Sequence, residues 1–253
     1  MSRAASALLA GRTAVVTGGA RGIGAGIVQA LRDAGAADVA VLDLPGPTPG
    51  AEGRLNVPVD LRDEEATRIA FAAVADAFGH VDVLIAAAGI VPPWTGVATI
   101  DLDEFDEVMT VNARAVACCM REALRTMRDG GSIVVIASQN GWRGSAPLPA
   151  YTASKHAVLG LVRSAALELG PRGIRVNAVG PGSVATEAYR SRLARRESEG
   201  GLAVAAALER DARATALQRL ATVEEVANAV VFLAGPLASG VTGHVLPVGA
   251  WVT

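Results

Sequence analysis

Apolar residues run along this chain in two rhythms. Short unbroken runs of Val, Ile, Leu and Ala alternate with longer stretches in which apolar positions recur every three or four residues. The short runs lie at 12–17, 38–42 (ending at Asp43), 55–59, 81–86, 132–137, 174–178 and 244–248. The longer stretches predict helices over 23–32, 63–77, 101–127, 150–169 and 223–233. An unbroken apolar strand has two dry faces, so these strands predict a parallel sheet covered by helices on both sides. Right-handed crossovers then make it doubly wound. The expected fold is α/β: one Rossmann-type domain over 1–253, with about seven strands and no linker, repeat or low-complexity tail. One crossover breaks the rhythm. Pro45, Pro47 and Pro49 exclude an ordinary helix between Asp43 and Leu55 and predict a short loop there.

Composition removes several classes. Half the residues (51%) are apolar, enough for a large core. Only 19% are charged and the net charge is −2, which argues against a nucleic-acid groove. The pair Arg195-Arg196 reads as a solvated helix face. No apolar run is long enough to span a bilayer, and residues 1–10 lack a signal-length apolar stretch, so a soluble, cytoplasmic protein is expected. Cys118 and Cys119 are adjacent on a helical pattern and face different directions, which predicts packing residues in a reducing compartment, with neither disulfide nor metal.

The first chemical signal follows the first strand: Thr17-Gly18-Gly19-Ala20-Arg21-Gly22-Ile23-Gly24, opening a helix. Glycines let a backbone approach a pyrophosphate, and the helix N-terminus then presents free N–H groups and the positive end of its dipole. The strand before and the helix after raise this above a simple glycine turn. Asp43 ends the second strand, where a carboxylate can accept hydrogen bonds from both ribose hydroxyls of NAD and repels the 2′-phosphate of NADP; a turn or cap aspartate is the alternative. Arg21 could attract that phosphate, but Leu44 beside Asp43 adds no second cation, so the balance favours NAD. Asp60 and Leu61, after the third strand, suit the adenine amino group and ring, and Asp60 suits a helix N-cap equally.

A second group carries acid–base character. Tyr151 and Lys155 stand four apart at the start of a helix and share a face. An ammonium near a phenol favours the phenolate and should lower the Tyr151 pKa toward the working range of a general acid or base. Ser138 sits just past a buried strand, at the sheet edge where ligands bind, and can hydrogen-bond a substrate oxygen. Asn112 is a poor helix former inside a predicted helix and asks for a reason.

Taken together, the segments 17–24, Asp60, Ala88-Gly89, Asn112, Ser138, Tyr151 with Lys155, and Pro181-Gly182 closely resemble the short-chain dehydrogenase/reductase family over residues 13–248. The resemblance implies Tyr151 as acid/base, Lys155 lowering its pKa and holding the nicotinamide ribose, Ser138 orienting the carbonyl, and Asn112 holding a water that links Lys155 to solvent. It places Gly18, Arg21, Gly22, Ile23, Gly24, Asp43, Leu44, Asp60, Leu61, Ala88 and Gly89 along the dinucleotide. Pro181, Gly182, Val184 and Thr186 would line the nicotinamide. Two departures stand out. The usual Asn-Asn-Ala-Gly is Ala86-Ala87-Ala88-Gly89, and the usual Asp-Gly-Gly reads Val248-Gly249-Ala250-Trp251.

The resemblance also places a substrate lid at 187–214 and implies a homotetramer paired through the helices of Asn112 and Tyr151. Trp94, Gln139, Trp142 and Tyr189 fall near the expected pocket, with Asn140 beside them. Each tryptophan is equally read as packing or a subunit contact. Several aromatics near one pocket suggest an apolar or aromatic substrate, and no cluster of charge marks a charged one. The expected activity is an NAD-dependent interconversion of a secondary alcohol and a ketone. An NADP-dependent 3-ketoacyl-type reductase and a non-catalytic NAD-binding protein are the alternatives.

Overall fold

In the computed structural model, which describes residues 8–46 and 55–249, seven strands form one parallel sheet. They are β1 (Thr13–Thr17), β2 (Asp38–Asp43), β3 (Leu55–Pro58), β4 (Val81–Ala86), β5 (Met127–Ile136), β6 (Arg175–Pro181) and β7 (Val245–Val248). Their order is β3-β2-β1-β4-β5-β6-β7. Chain progress therefore reverses between β1 and β4, which opens a crevice at the carboxyl edge of those strands. The rest of the expected 44–54 loop (47–54) and the C-terminal residues Ala250 and Trp251 lie outside the described residues.

Neighbouring residues of the central strands feed opposite faces, and both faces are dry; the edge strands β3 and β7 are only partly buried. Val15 of β1 joins one core with Leu84, Ile133 and Val158; Val16 joins the other with Ile85, Ile27 and Val226. The first core lies under α2 (Glu64–Phe78), α4 (Ala115–Leu124) and α5 (Pro149–Leu169), the second under α1 (Gly22–Asp33) and α8 (Val223–Ala234). Gly26 lets α1 and α8 meet: a Cβ there would lie 2.1 Å from a Val223 methyl.

Three expected elements differ. The single helix expected over 101–127 is α3 (Leu102–Met109), a widened turn over Thr110–Arg114 and then α4. The wide turn, closed by Ala115 N donating to Thr110 O, falls where Asn112 uses its side chain elsewhere. Beyond Leu124 the chain turns, and β5 begins at Met127 rather than near 132, because Val81 already pairs with Met127 across the sheet. The segment expected as a lid forms two helices, α6 (Glu187–Ser198) and α7 (Val204–Arg213). Gly200, at φ +88°, and Gly201, whose Cβ would meet Arg196 at 2.8 Å, separate them.

The amino edge of the sheet holds a buried carboxylate. Asp82 on β4 accepts from Thr13 N (2.9 Å), Arg12 Nη1 (3.1 Å) and Arg128 Nη2 (2.6 Å). Burial pushes its pKa up, but these donors outweigh it and hold the carboxyl below the usual carboxylate range. Among the described residues no helix is long and apolar enough to cross a membrane.

Candidate active site at the carboxyl edge of the sheet

The turn after β1 is shaped by glycines that no other residue could replace cheaply. Gly18 has φ +68°, and a Cβ there would lie 2.6 Å from Ala88 Cα. A Cβ on Gly24 would meet Gly18 O at 2.0 Å. Gly22, at φ +56°, starts α1, whose first N–H groups have no partner within the helix. Turn and helix end thus form a cradle that accepts an anion at close range, which fits a dinucleotide pyrophosphate. Ile23 packs partly into the core beneath, while Arg21 stands exposed at the mouth.

Asp43 is bound to this turn. Its Oδ2 accepts from Ala20 N (2.8 Å) and its Oδ1 from Leu44 N (2.8 Å). Each carboxylate oxygen keeps a further lone pair. Leu44 is exposed beside it. Thr17 Oγ1 accepts from Ala87 N (3.1 Å) and Ala88 N (3.3 Å), so a threonine ties the first strand to the 86–89 loop, which carries no asparagine.

At the third strand the expectations need correction. α2 is capped by Asp63, whose Oδ1 accepts from Ala66 N at 2.9 Å; Asp60 is not the cap. Asp60 instead takes a fork from Arg62, with Nη2 at 2.6 Å, and that hydrogen bond is the main cause holding its pKa low. Leu61 is buried in the core rather than open to a ring.

The acid–base residues converge. Pro149 opens α5 with its ring at a position where no N–H is needed, and Tyr151 and Lys155 follow on one face. Ser138 ends the segment after β5, and its Oγ accepts from Asn140 N at 3.2 Å. The Tyr151 phenol hydrogen-bonds Ser138. Lys155 Nζ is buried, donates to Ile136 O at 2.9 Å and lies 5.7 Å from the centre of the Tyr151 ring.

Burial pushes the Tyr151 pKa up, and the Ser138 hydrogen bond and the Arg192 charge reverse only part of that. The expected lowering by Lys155 is therefore not what the protein's own groups produce. The lysine is itself displaced, pushed down to about 8 by burial.

Asn112 clamps the loop after β4. Its Oδ1 accepts from Ile90 N (2.8 Å), and its Nδ2 donates to Ile90 O (2.9 Å) and Ser154 Oγ (3.1 Å). A Cβ on Gly89 would lie 3.1 Å from Asn112 Oδ1 and 3.7 Å from Lys155 Nζ, so all three groups border one spot. The amide's donors are thus used within the protein, joining α5 to this loop.

After β6, Gly182 N donates to Val248 O (2.8 Å), following Pro181, and Val184 is buried in a bridge to Ala221. Thr186 caps α6 by accepting from Tyr189 N (3.2 Å). Its methyl would lie 3.9 Å from a Cβ on Gly22, so the first turn of α6 abuts the glycine turn.

The four residues assigned to substrate separate. Trp142 covers Gly180, where a Cβ would meet the ring at 2.5 Å; it is a packing residue. Tyr189 donates its hydroxyl to Asp211, which with burial raises its pKa to about 12; it braces α6 against α7. Gln139 keeps a buried Oε1 without a partner. Trp94 carries two guanidinium groups, Arg192 at 4.5 Å and Arg196 at 4.9 Å from its ring centre. The sequence reading missed this basic cluster and took Arg196 for a solvated face. The available signal was the four-residue spacing of Arg192 and Arg196, which puts both on one side of α6.

The family model described as enoyl-(acyl carrier protein) reductase matches residues 18–250. The chain is 41% identical to an (−)-isopiperitenol/(−)-carveol dehydrogenase of Mentha piperita, over 95% of this chain and 92% of that protein. It is 38% identical to a cis-4-hydroxycyclohexanecarboxylate dehydrogenase of Sinomonas cyclohexanicum, over 96% of each. Among solved structures, a levodione reductase superposes with a TM-score of 0.89 at 29% identity, over 96% of this chain and 97% of the other.

Proposed function

Because this chain belongs to the short-chain dehydrogenase/reductase family, we propose that it interconverts a cyclic secondary alcohol and its ketone with NAD as cofactor and Tyr151 as the acid and base. The observation that carries this reading is the convergence of Ser138, Tyr151 and Lys155 beside the glycine turn. A dinucleotide held on the α1 N-terminus would supply or accept the hydride.

The protein's residues supply the rest. The hydroxyls of Ser138 and Tyr151, already hydrogen-bonded, bracket the substrate oxygen. In reduction the Tyr151 phenol gives its proton to the carbonyl oxygen as the carbon gains hydride; in alcohol oxidation Tyr151 must first lose its own proton, and the phenolate then takes the hydroxyl proton as the carbon loses its hydride. Lys155, fixed on Ile136 O, keeps a cation or a neutral amine within reach of the phenol according to pH. Asn112 positions the 89–90 loop against that amine. Asp43, fixed on the glycine turn, offers its free lone pairs to a ribose and repels a 2′-phosphate, which supports NAD over NADP. The names of the two curated relatives support a cyclic alcohol. On the same reading the protein works as a homotetramer in the reducing cytoplasm, which agrees with two free cysteines.

Absorbance of NADH during incubation with a panel of cyclic secondary alcohols tests this. The reading requires turnover with NAD⁺ at least about ten times more efficient than with NADP⁺, as one carboxylate–phosphate repulsion gives. A protein that binds NADH but oxidises none of the panel, and reduces none of the ketones, would refute it.

A further inference from the structure

Arg192 is the residue whose chemistry the proposed reaction leaves unused. It lies on the second turn of α6 in the lid, half-buried, with its guanidinium carbon 4.5 Å from the Trp94 ring centre. Its Nε and Nη2 are buried and have no hydrogen-bond partner. Among the described residues no carboxylate pairs with it: its lid neighbours Arg195, Arg210 and Arg213 take Glu199, Asp211 and Glu209 instead. It lies on α6 one turn beyond Tyr189, and its charge acts on the phenols of both Tyr151 and Tyr189.

Nε–H and one Nη2–H form the side edge of a guanidinium, two parallel donors matched to the two oxygens of a carboxylate. Leaving both donors buried and unmatched is costly. The Trp94 ring holds the guanidinium carbon at 4.5 Å, which limits the freedom of the group. Arg196 stacks at 4.9 Å on the same indole and adds a second positive charge to the lid. A neutral substrate would leave this edge unsatisfied; an anion would complete it.

From this geometry we infer that the substrate carries a carboxylate besides its alcohol or ketone, and that Arg192, held by Trp94, is the specificity-determining residue that binds it. This deepens the proposed function and rests on it. On this inference the body of the substrate is apolar, and it departs from the uncharged molecule expected from the sequence at one end only.

The test compares hydroxycyclohexanecarboxylates with the matching hydroxycyclohexanecarboxamides, which have the same shape without the charge. The wild type should favour the acid over the amide by about 100-fold in kcat/KM, the scale of a charge-assisted pair of hydrogen bonds. Arg192→Met should reduce that ratio below about fivefold, and Arg192→Lys, which keeps charge but not the fork, should recover only part of it. The Kd of NAD⁺ should change by less than about twofold in both variants. Isothermal titration of cyclohexanecarboxylate and cyclohexanecarboxamide into the NADH complex reads the same discrimination without turnover. An acid-to-amide ratio near one in the wild type, or one that Arg192→Met leaves intact, would overturn the inference. So would a loss shared equally by acid and amide with a shifted pH profile, which would make Arg192 a modulator of Tyr151. Failure of the redox reading looks different: no oxidation of either compound, whatever the titration shows.

Discussion

At the amino edge of the sheet, Asp82 is wholly buried, and every charge near it is spoken for by Thr13, Arg12 and Arg128. His80 Nε2 stands 3.3 Å from its Oδ2. At the carboxyl edge, Gln139 Oε1, Thr152 Oγ1 and two Arg192 nitrogens are buried without partners, four of the six such side-chain atoms among the described residues. Both edges are held by the same strands and the same two cores. The difference is one of degree: around Asp82 the protein supplies the donors itself and leaves only His80 Nε2 without a hydrogen bond, whereas the carboxyl edge leaves four buried atoms open. Buried polar groups that are satisfied internally report on stability, and those left open report on binding.

Removing a partner at the closed end should therefore cost stability and leave chemistry alone. Asp82→Ala should destabilise the fold by about 4 kcal/mol, because it strips a buried network of its centre. That is roughly 12 °C in melting temperature for a domain of this size, measured by calorimetry. The kcat/KM of the folded fraction should not change. The contribution also has a pH signature. The Asp82 pKa is depressed in the folded protein, so its stabilisation is complete at neutral pH and is lost as pH falls below 3.8 through the folded value. Asp82→Asn should lack that acid-dependent loss.

At the open end the charged group costs stability instead of supplying it, although stability again rises with pH. Burial lowers the Lys155 pKa from 10.5 to about 8. Below pH 8 both folded and unfolded states carry the charge and the burial penalty is full. Between pH 8 and 10.5 the folded state sheds the proton first, so stability should rise with pH by about 3 kcal/mol relative to Lys155→Met. Denaturant midpoints at pH 7 and pH 10 measure it. A flat difference would place the ammonium in solvent and weaken the contrast between the edges.

Two smaller effects sharpen the comparison. Asp43→Ala should narrow the preference for NAD⁺ over NADP⁺ by about tenfold in kcat/KM, on the scale of one surface charge interaction. Thr17→Val should lower stability by about 1 kcal/mol, the usual worth of a buried hydrogen bond, since it releases Ala87 N and Ala88 N.

The strands were legible because an apolar run buried on two faces looks like nothing else at that length; their order was read only from the structure. Glycine positions were legible because the turn after β1 tolerates no Cβ at Gly18 or Gly24. Misreadings came where several residues of one type compete for a role. Asp60 and Asp63 both precede α2, and only the geometry of the turn selects Asp63 as cap. Trp94 and Trp142 look alike in sequence, yet one lies under two guanidinium groups and the other on Gly180. The long helix was divided by an asparagine whose purpose was a loop 22 residues earlier, a contact no local pattern encodes. The Tyr151 environment was misjudged for a related reason: a four-residue spacing predicts a neighbouring cation but not the burial that outweighs it.

Everything at the open edge turns on the Tyr151 phenol. Stopped-flow reduction of a cyclic ketone by NADH should be compared in wild type and Tyr151→Phe, with NADH fluorescence as the binding control. Loss of the proton donor predicts a fall of about 10³-fold or more in the hydride-transfer rate, with NADH affinity within about twofold and an unchanged melting temperature. A Tyr151→Phe protein that still transfers hydride within about tenfold of the wild-type rate would contradict the account.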